Sequence, residues 1–259
     1  MIKRAIEIVD KHGIGTFLAS ARIFLHTTYW DWNKSRLARS ADTTDADPQK
    51  TIFVDPSNII YLTGNRLWRS TPNDHKHLDH FDAFHDFSFG IVVDGSWDSG
   101  NNEFTELAEY DAIKARFEDG YQWEETSFYQ IHRNRISEGY QSYGCDSIDD
   151  LESTLSKVDE LYATIRDNGY RTSKSLGNNP LDEVTVNIGR NGQLLYEDQG
   201  RHRLSIAKIL DLDRIPVLVK VRHRKWQQIR EGIISSTNIQ ELPTDMPGVE
   251  DHPDLRDIT

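Results

Sequence analysis

The stretch Leu194–Val219, LLYEDQGRHRLSIAKILDLDRIPVLV, decides how this chain is read. A short apolar segment leads through Gly200 into Arg201, His202 and Arg203. Leu204, Ala207 and Leu210 follow at helical spacing, and IPVLV closes the stretch as a strand signal with Pro216 near its start. Strand, glycine, helix is a local plan for an anion site. The first N–H groups of a helix have no internal acceptor, and the aligned peptide dipoles make that end positive. Gly200 allows a ligand to approach the backbone closely. Arg201 and Arg203 add forked donors suited to phosphate oxygens, and His202 is a further donor. Cations at a helix N-terminus oppose its dipole, and a bound polyanion is the simplest compensation. Pairing with Glu197, Asp198 or Asp211 is the alternative.

Working outward, DEVTVNIG alternates Val184, Val186 and Ile188, and Asn191-Gly192 is a hairpin signal before QLLYED. The spacing of Ile148, Leu151, Leu155, Val158, Leu161, Tyr162 and Ile165 predicts a helix over Ser147–Asn168, stopped by Gly169. EFTELAEYDAIKARFE, Glu103–Glu118, has helical spacing with Phe104, Leu107, Ala108 and Ala112 on one face. TIFVDPSNIIYL and FGIVVDGSWDSG read as short strands running into turns. Residues 1 to about 50 read as mainly helical. Within them GIGTFLASARIFL, Gly13–Leu25, is too short to span a bilayer and reads as an amphipathic helix. From about Gln240 the chain is rich in acids and proline and is expected to be extended or disordered. Trp97, Trp123, Tyr129 and Trp226 read as core or interface aromatics.

The 259 residues carry a formal charge of -12, with aspartate the commoner acid and arginine outnumbering lysine, which points to a salt-adapted host as readily as to an ordinary acidic protein. The charge is uneven. Residues 190–230 sum to +6 and the remainder to -18. A basic island in an acidic chain favours a localised anion site over a nucleic-acid track. The single cysteine, Cys145, excludes an internal disulfide and suits a reducing compartment such as the cytoplasm.

The run LLYEDQGRHRLSIAKILDLDRIPVLV resembles the ParB/sulfiredoxin-like superfamily, with its strand, Gly-x-[His/Arg]-Arg turn, helix and Ile-Pro-Val strand. VDELYATIRDNGY stands where that family has a helix ending in Ser/Thr-Ile before a glycine. The resemblance covers about Ser147 to His223. It implies an α+β fold: a mixed sheet with helices over residues 147–235, preceded by a mainly helical region, 1–146, and followed by an acidic tail, 236–259. It also implies a nucleotide triphosphate or diphosphate, ATP or ADP first, held at Gly200, Arg201, His202 and Arg203, with Thr164 of the Thr-Ile pair nearby. Sulfiredoxins carry a reactive cysteine where this chain has Arg201, so sulfinic acid reduction is not expected. Partition proteins continue into a helix-turn-helix; the thirty or so residues after Arg230 are acidic and proline-containing instead.

The expected function is therefore a nucleotide-dependent phosphotransferase acting on a small hydroxyl compound, with magnesium if it is an enzyme. A non-catalytic nucleotide-binding regulatory or scaffold protein is the alternative, and a DNA-binding or nuclease protein comes third. A kinase needs a carboxylate. Asp198 comes first by proximity, with a helix-cap role as its alternative. Asp94 and Asp98 follow, then Glu124 and Glu125. At least one side chain among Arg201, His202 and Arg203 is expected to escape internal ion pairs and face a pocket. NDHKHLDHFDAFHDF offers His75, His77, His80 and His85 among aspartates, without the spacing of a known metal site, and reads first as a polar loop. VRHRKWQQIR, Val221–Arg230, extends the basic surface toward the turn or is a solvated face.

Overall fold

The computed structural model describes residues 14, 42–63, 67–70, 76–79, 89–235 and 249–258. The helices expected before residue 42 lie almost wholly outside these residues, as do His75, His80 and His85.

The fold is α+β. Among the described residues nine strands occur in chain order: β1 (Asp42–Thr43), β2 (Thr51–Val54), β3 (Tyr61–Leu62), β4 (Leu67–Ser70), β5 (Lys76–Asp79), β6 (Ile91–Val93), β7 (Val184–Ile188), β8 (Leu194–Tyr196) and β9 (Ile215–His223). Five α-helices accompany them: α1 (Ala108–Phe117), α2 (Ser127–Ser137), α3 (Ile148–Asn168), α4 (Arg201–Ile209) and α5 (Arg224–Ser235).

Seven strands form one mixed sheet in the order β1-β6-β9-β7-β8-β3, with β2 pairing β9 beside β6. Strand β9 is its spine. It runs parallel to β7 and β6 and antiparallel to β2. The hairpin β7–β8 forms at the Asn191-Gly192 signal, with Gly192 at φ 80°. The sheet takes β1, β2, β3 and β6 from before residue 147, so the expected boundary there does not divide it. Strands β4 and β5 pair separately, which puts His77 in a strand and not in the polar loop expected for it.

The alternation in β7 places Val184, Val186 and Ile188 on one face, where they meet Leu204 and Ala207 of α4, Val217 and Val219 of β9, and Trp226 of α5. Its other face is buried too, and polar. Asn187 donates to Thr63 at 3.0 Å and takes the Val221 N–H at 2.9 Å. Lys220 pairs with Asp198 at 2.9 Å.

A second core joins α1, α2 and α3 through Ile113, Phe128, Tyr129, Leu151, Leu155 and Val158, and Ile206 of α4 enters it. Helix α4 is thus wedged between sheet and helices, with Leu204 and Ala207 facing one and Ile206 the other. Full burial of a side chain such as Leu204 is worth about 1.5–3 kcal/mol, which fixes where the helix begins. Helix α3 matches its expected span. Ser147 caps it by accepting from the Asp150 N–H, and Gly169 ends it at φ 73°.

The C-terminal segment departs from expectation. Residues 249–258 form two 3-10 turns docked on the sheet core, with Val249 and Leu255 buried. Arg230, fully buried, meets Asp45 at 2.8 Å, Asp257 at 3.1 Å and Asp254 at 3.6 Å; Arg222 meets Asp254 at 2.5 Å. Acids that look solvating in composition are here partners of buried arginines.

Candidate functional site

The turn at Gly200 opens onto a cavity of about 800 Å3 between the start of α4, the C-terminal half of α3 and the loop 169–182. Gly200 holds φ 78°, a left-handed conformation that L side chains rarely adopt. A Cβ there would lie 2.8 Å from Val184 Cα. The close approach that requires glycine is therefore to strand β7, whereas the sequence pointed to a ligand. No side chain caps α4, so its first N–H groups face the cavity mouth without the acceptors that most helices supply.

Gly200, Arg201, His202, Arg203 and Thr164 all line this cavity. Thr164 Oγ1 donates to the Glu160 carbonyl at 2.8 Å. Arg201 Nη1 reaches Glu109 Oε2 at 2.8 Å, and His202 Nε2 faces Glu109 Oε1. The hydroxyl of Tyr143 contacts both Glu109 and His202. Arg203 spans Asp182, at 2.9 Å, and Glu183, at 3.4 Å, and donates to Ser173 Oγ at 3.0 Å. All three side chains of the turn thus have internal partners, contrary to the expectation that one would be spare. The unpaired cation of the wall is Arg171, which makes no ion pair among the described residues. Arg201 Nε and the Tyr170 hydroxyl, both buried in this wall, have no partner in hydrogen-bond geometry, though Tyr196 neighbours the first and Arg203 the second. The remaining wall is apolar at Leu161, Ile165 and Leu176, with amides at Asn168 and Asn178.

The electrostatics follow from this packing. Burial opposes charge on Glu109, but the hydrogen bond from His202, the Arg201 guanidinium and the Tyr143 hydroxyl outweigh it and hold its carboxyl down at about 2. Burial and Glu109 push the Tyr143 phenol well above its ordinary value. Glu183 is raised by burial, which the Ser173 N–H and Arg203 only partly offset.

The five carboxylates expected from sequence do not line the cavity. Asp198 is turned through the sheet, where it accepts from Thr185 Oγ1 at 2.7 Å and Lys220 Nζ at 2.9 Å on the face away from α4. It is neither helix cap nor cavity wall. Asp98 is clamped by Arg190 at 2.6 Å and ties the loop after β6 to the β7–β8 hairpin. Asp94 is exposed and accepts from the Gly95 N–H at 2.7 Å. Glu125 closes the turn Trp123–Glu125 by accepting from the Gln122 N–H at 2.6 Å, and Glu124 is exposed beside it. The basic run after β9 does not extend the site either. Arg222 and Arg230 hold the C-terminal acids, and Arg224 pairs with Asp42 at 3.1 Å. Trp97, Trp123, Tyr129 and Trp226 are buried, as read.

Glu109 and Asp182 were missed. Glu109 shares the buried face of α1 with Ala112 and Ile113. A carboxylate at i with apolar residues at i+3 and i+4 was the available signal.

Among the described residues no three His, Cys, Asp or Glu side chains are grouped to hold a metal, and no helix is long and apolar enough to cross a membrane. The chain matches no family model, no curated protein and no solved structure.

Proposed function

We propose that the cavity binds a nucleotide and that the protein is a phosphotransferase acting on a small hydroxyl compound. One observation carries this reading: an uncapped helix start bearing Arg201, His202 and Arg203 opens onto a cavity that also holds an apolar wall and a carboxylate from a distant segment. Phosphate oxygens suit the N–H groups of α4 and the forked donors of Arg201 and Arg203. A base suits the slot of Leu161, Ile165 and Leu176, whose neighbours Asn168 and Asn178 can read its edge. Arg171 adds charge for the phosphates. ATP and ADP come first among nucleotides.

A magnesium ion brought with the nucleotide would need only one or two protein carboxylates and would neutralise charge on the phosphate oxygens. Asp182, exposed at the cavity wall, fits that role. The buried, solitary Cys145 suits a reducing compartment, and we place the protein in the cytoplasm. The second reading is a nucleotide-binding regulatory protein without turnover. It draws on the internal ion pairs of Arg201, His202 and Arg203.

A thermal-shift panel of ATP, ADP, CTP and GTP, with and without magnesium, tests the shared premise. A ligand present at a hundred times its Kd adds about 2.7 kcal/mol to stability, or roughly 5–10 °C for a domain of this size. No shift with any nucleotide removes both readings. A shift without transfer of the terminal phosphate in a hydroxyl-rich metabolite mixture favours the regulatory one.

A further inference from the structure

Glu109 is an unusual wall for an anion site. It is buried, it comes from α1, and it lies 92 positions before Arg201 in sequence. Its two oxygens are taken by Arg201, His202 and Tyr143. One guanidinium would suffice for a structural ion pair. Here an arginine and a histidine, both at a helix start that is already positive, converge on a single internal carboxylate. Tyr143 supports the arrangement from a left-handed backbone at φ 57°, where tyrosine is rarely found. The buried Arg201 Nε and Tyr170 hydroxyl, beside Tyr196 and Arg203, make no well-formed hydrogen bond in the same wall. Glu109 thus occupies the donors that a phosphate would use.

Resting on the nucleotide reading above, we propose that Glu109 is the catalytic carboxylate, released from Arg201 by the incoming phosphate and then accepting the proton of the acceptor hydroxyl. In that step the acceptor oxygen forms a bond to the terminal phosphorus as its proton passes to Glu109. The bond from that phosphorus to its bridging oxygen breaks, and the nucleotide leaves with the electron pair, one phosphate shorter. The acceptor is a small hydroxyl compound seated at the corner of Glu109, Tyr143 and Thr154, whose two hydroxyls can orient it. Loss of Arg201 and arrival of phosphate charge both raise the carboxyl from its depressed value toward that of a useful base. Asp182 is the poorer candidate: its side chain is 63% exposed, and a base open to solvent gains nothing from the site. Asp198 is excluded by its position on the far face of the sheet.

Glu109→Gln separates this role from a structural one, because the two readouts move in opposite directions. Removing the competing charge frees Arg201, so nucleotide affinity in a calorimetric titration rises, by about tenfold if one charge-assisted hydrogen bond is regained. Transfer of the terminal phosphate, followed as the shortened nucleotide formed with magnesium and a polyol mixture, falls by about 10²–10⁴-fold. Glu109→Asp keeps the charge but withdraws it by one methylene; it loses at least about tenfold in transfer, the expected cost of a misplaced base. It also carries the test if the glutamine variant does not fold. Weaker binding by Glu109→Gln, wild-type transfer by either variant, or a wild-type protein that binds nucleotide and never shortens it overturns the proposal. A wild-type protein that binds no nucleotide overturns instead the reading on which it rests.

Discussion

Gly200 is where fold and site meet, and Gly200→Ala puts a number on that meeting. The left-handed conformation at φ 78° costs an L residue about 1–2 kcal/mol. The new methyl would also lie 2.8 Å from both Cα and Cγ2 of Val184. Neither neighbour can swing away, because Val184 sits in β7, paired to Val217 of β9. Overpacking of this kind adds about 1–3 kcal/mol. The sum is about 2–5 kcal/mol, a fall in Tm of roughly 5–15 °C for a domain of this size. Gly177→Ala is the internal control. Gly177 is also left-handed, at φ 76° and ψ 13°, but a Cβ there meets nothing within 4 Å. It should cost only the conformational part, about 1–2 kcal/mol. Urea unfolding of the two variants in parallel measures the difference. Equal losses would refute the claim that contact with β7 demands glycine at the turn.

Other expectations follow from the charges. Glu109 ordinarily titrates at 4.5 and is held at about 2 in the folded protein, so it contributes stability above its unfolded value and loses it as pH falls through the folded one. The difference amounts to about 3 kcal/mol. Wild-type stability should therefore fall more steeply than that of Glu109→Gln between about pH 5 and pH 3, as read from urea midpoints; parallel curves would contradict the assignment. Arg230→Ala leaves Asp45, Asp254 and Asp257 without their shared buried cation, at a cost of about 3–5 kcal/mol. It should also release residues 249–258 to limited proteolysis, and resistance equal to wild type would count against the docking described here.

Much of the fold was legible where period and punctuation agree. The spacing from Leu151 to Ile165 with Ser147 before it and Gly169 after it specified α3. Alternating valines around Asn191-Gly192 specified the β7–β8 hairpin. The start of α4 was legible for the same reason, and so were the cavity residues Gly200–Arg203. Where each carboxylate goes was not. Asp198 lies two positions before Gly200, yet its partner Lys220 is on the far face of the sheet, and only the pairing of β7 with β9 decides that. Proximity in sequence was a poor guide because Asp198 and Gly200 lie beyond the end of β8, in a bend that no strand period governs. Glu109 reaches Arg201 only after α1 packs on α4, a long-range contact no local period encodes. The C-terminal segment misled through composition: its acids and prolines read as solvated, but Arg222 and Arg230 were buried to receive them.

The most direct test of the central claim is calorimetric titration of the nucleotides into wild-type protein and into Arg203→Ala. Arg203 joins the start of α4 to Asp182 and Ser173 across the cavity mouth. The account predicts saturable binding of at least one nucleotide to wild type. It predicts an affinity lower by about 1.5–3 kcal/mol, roughly tenfold to a hundredfold, in the variant. No binding to wild type at millimolar nucleotide, or equal affinity in both proteins, would contradict it.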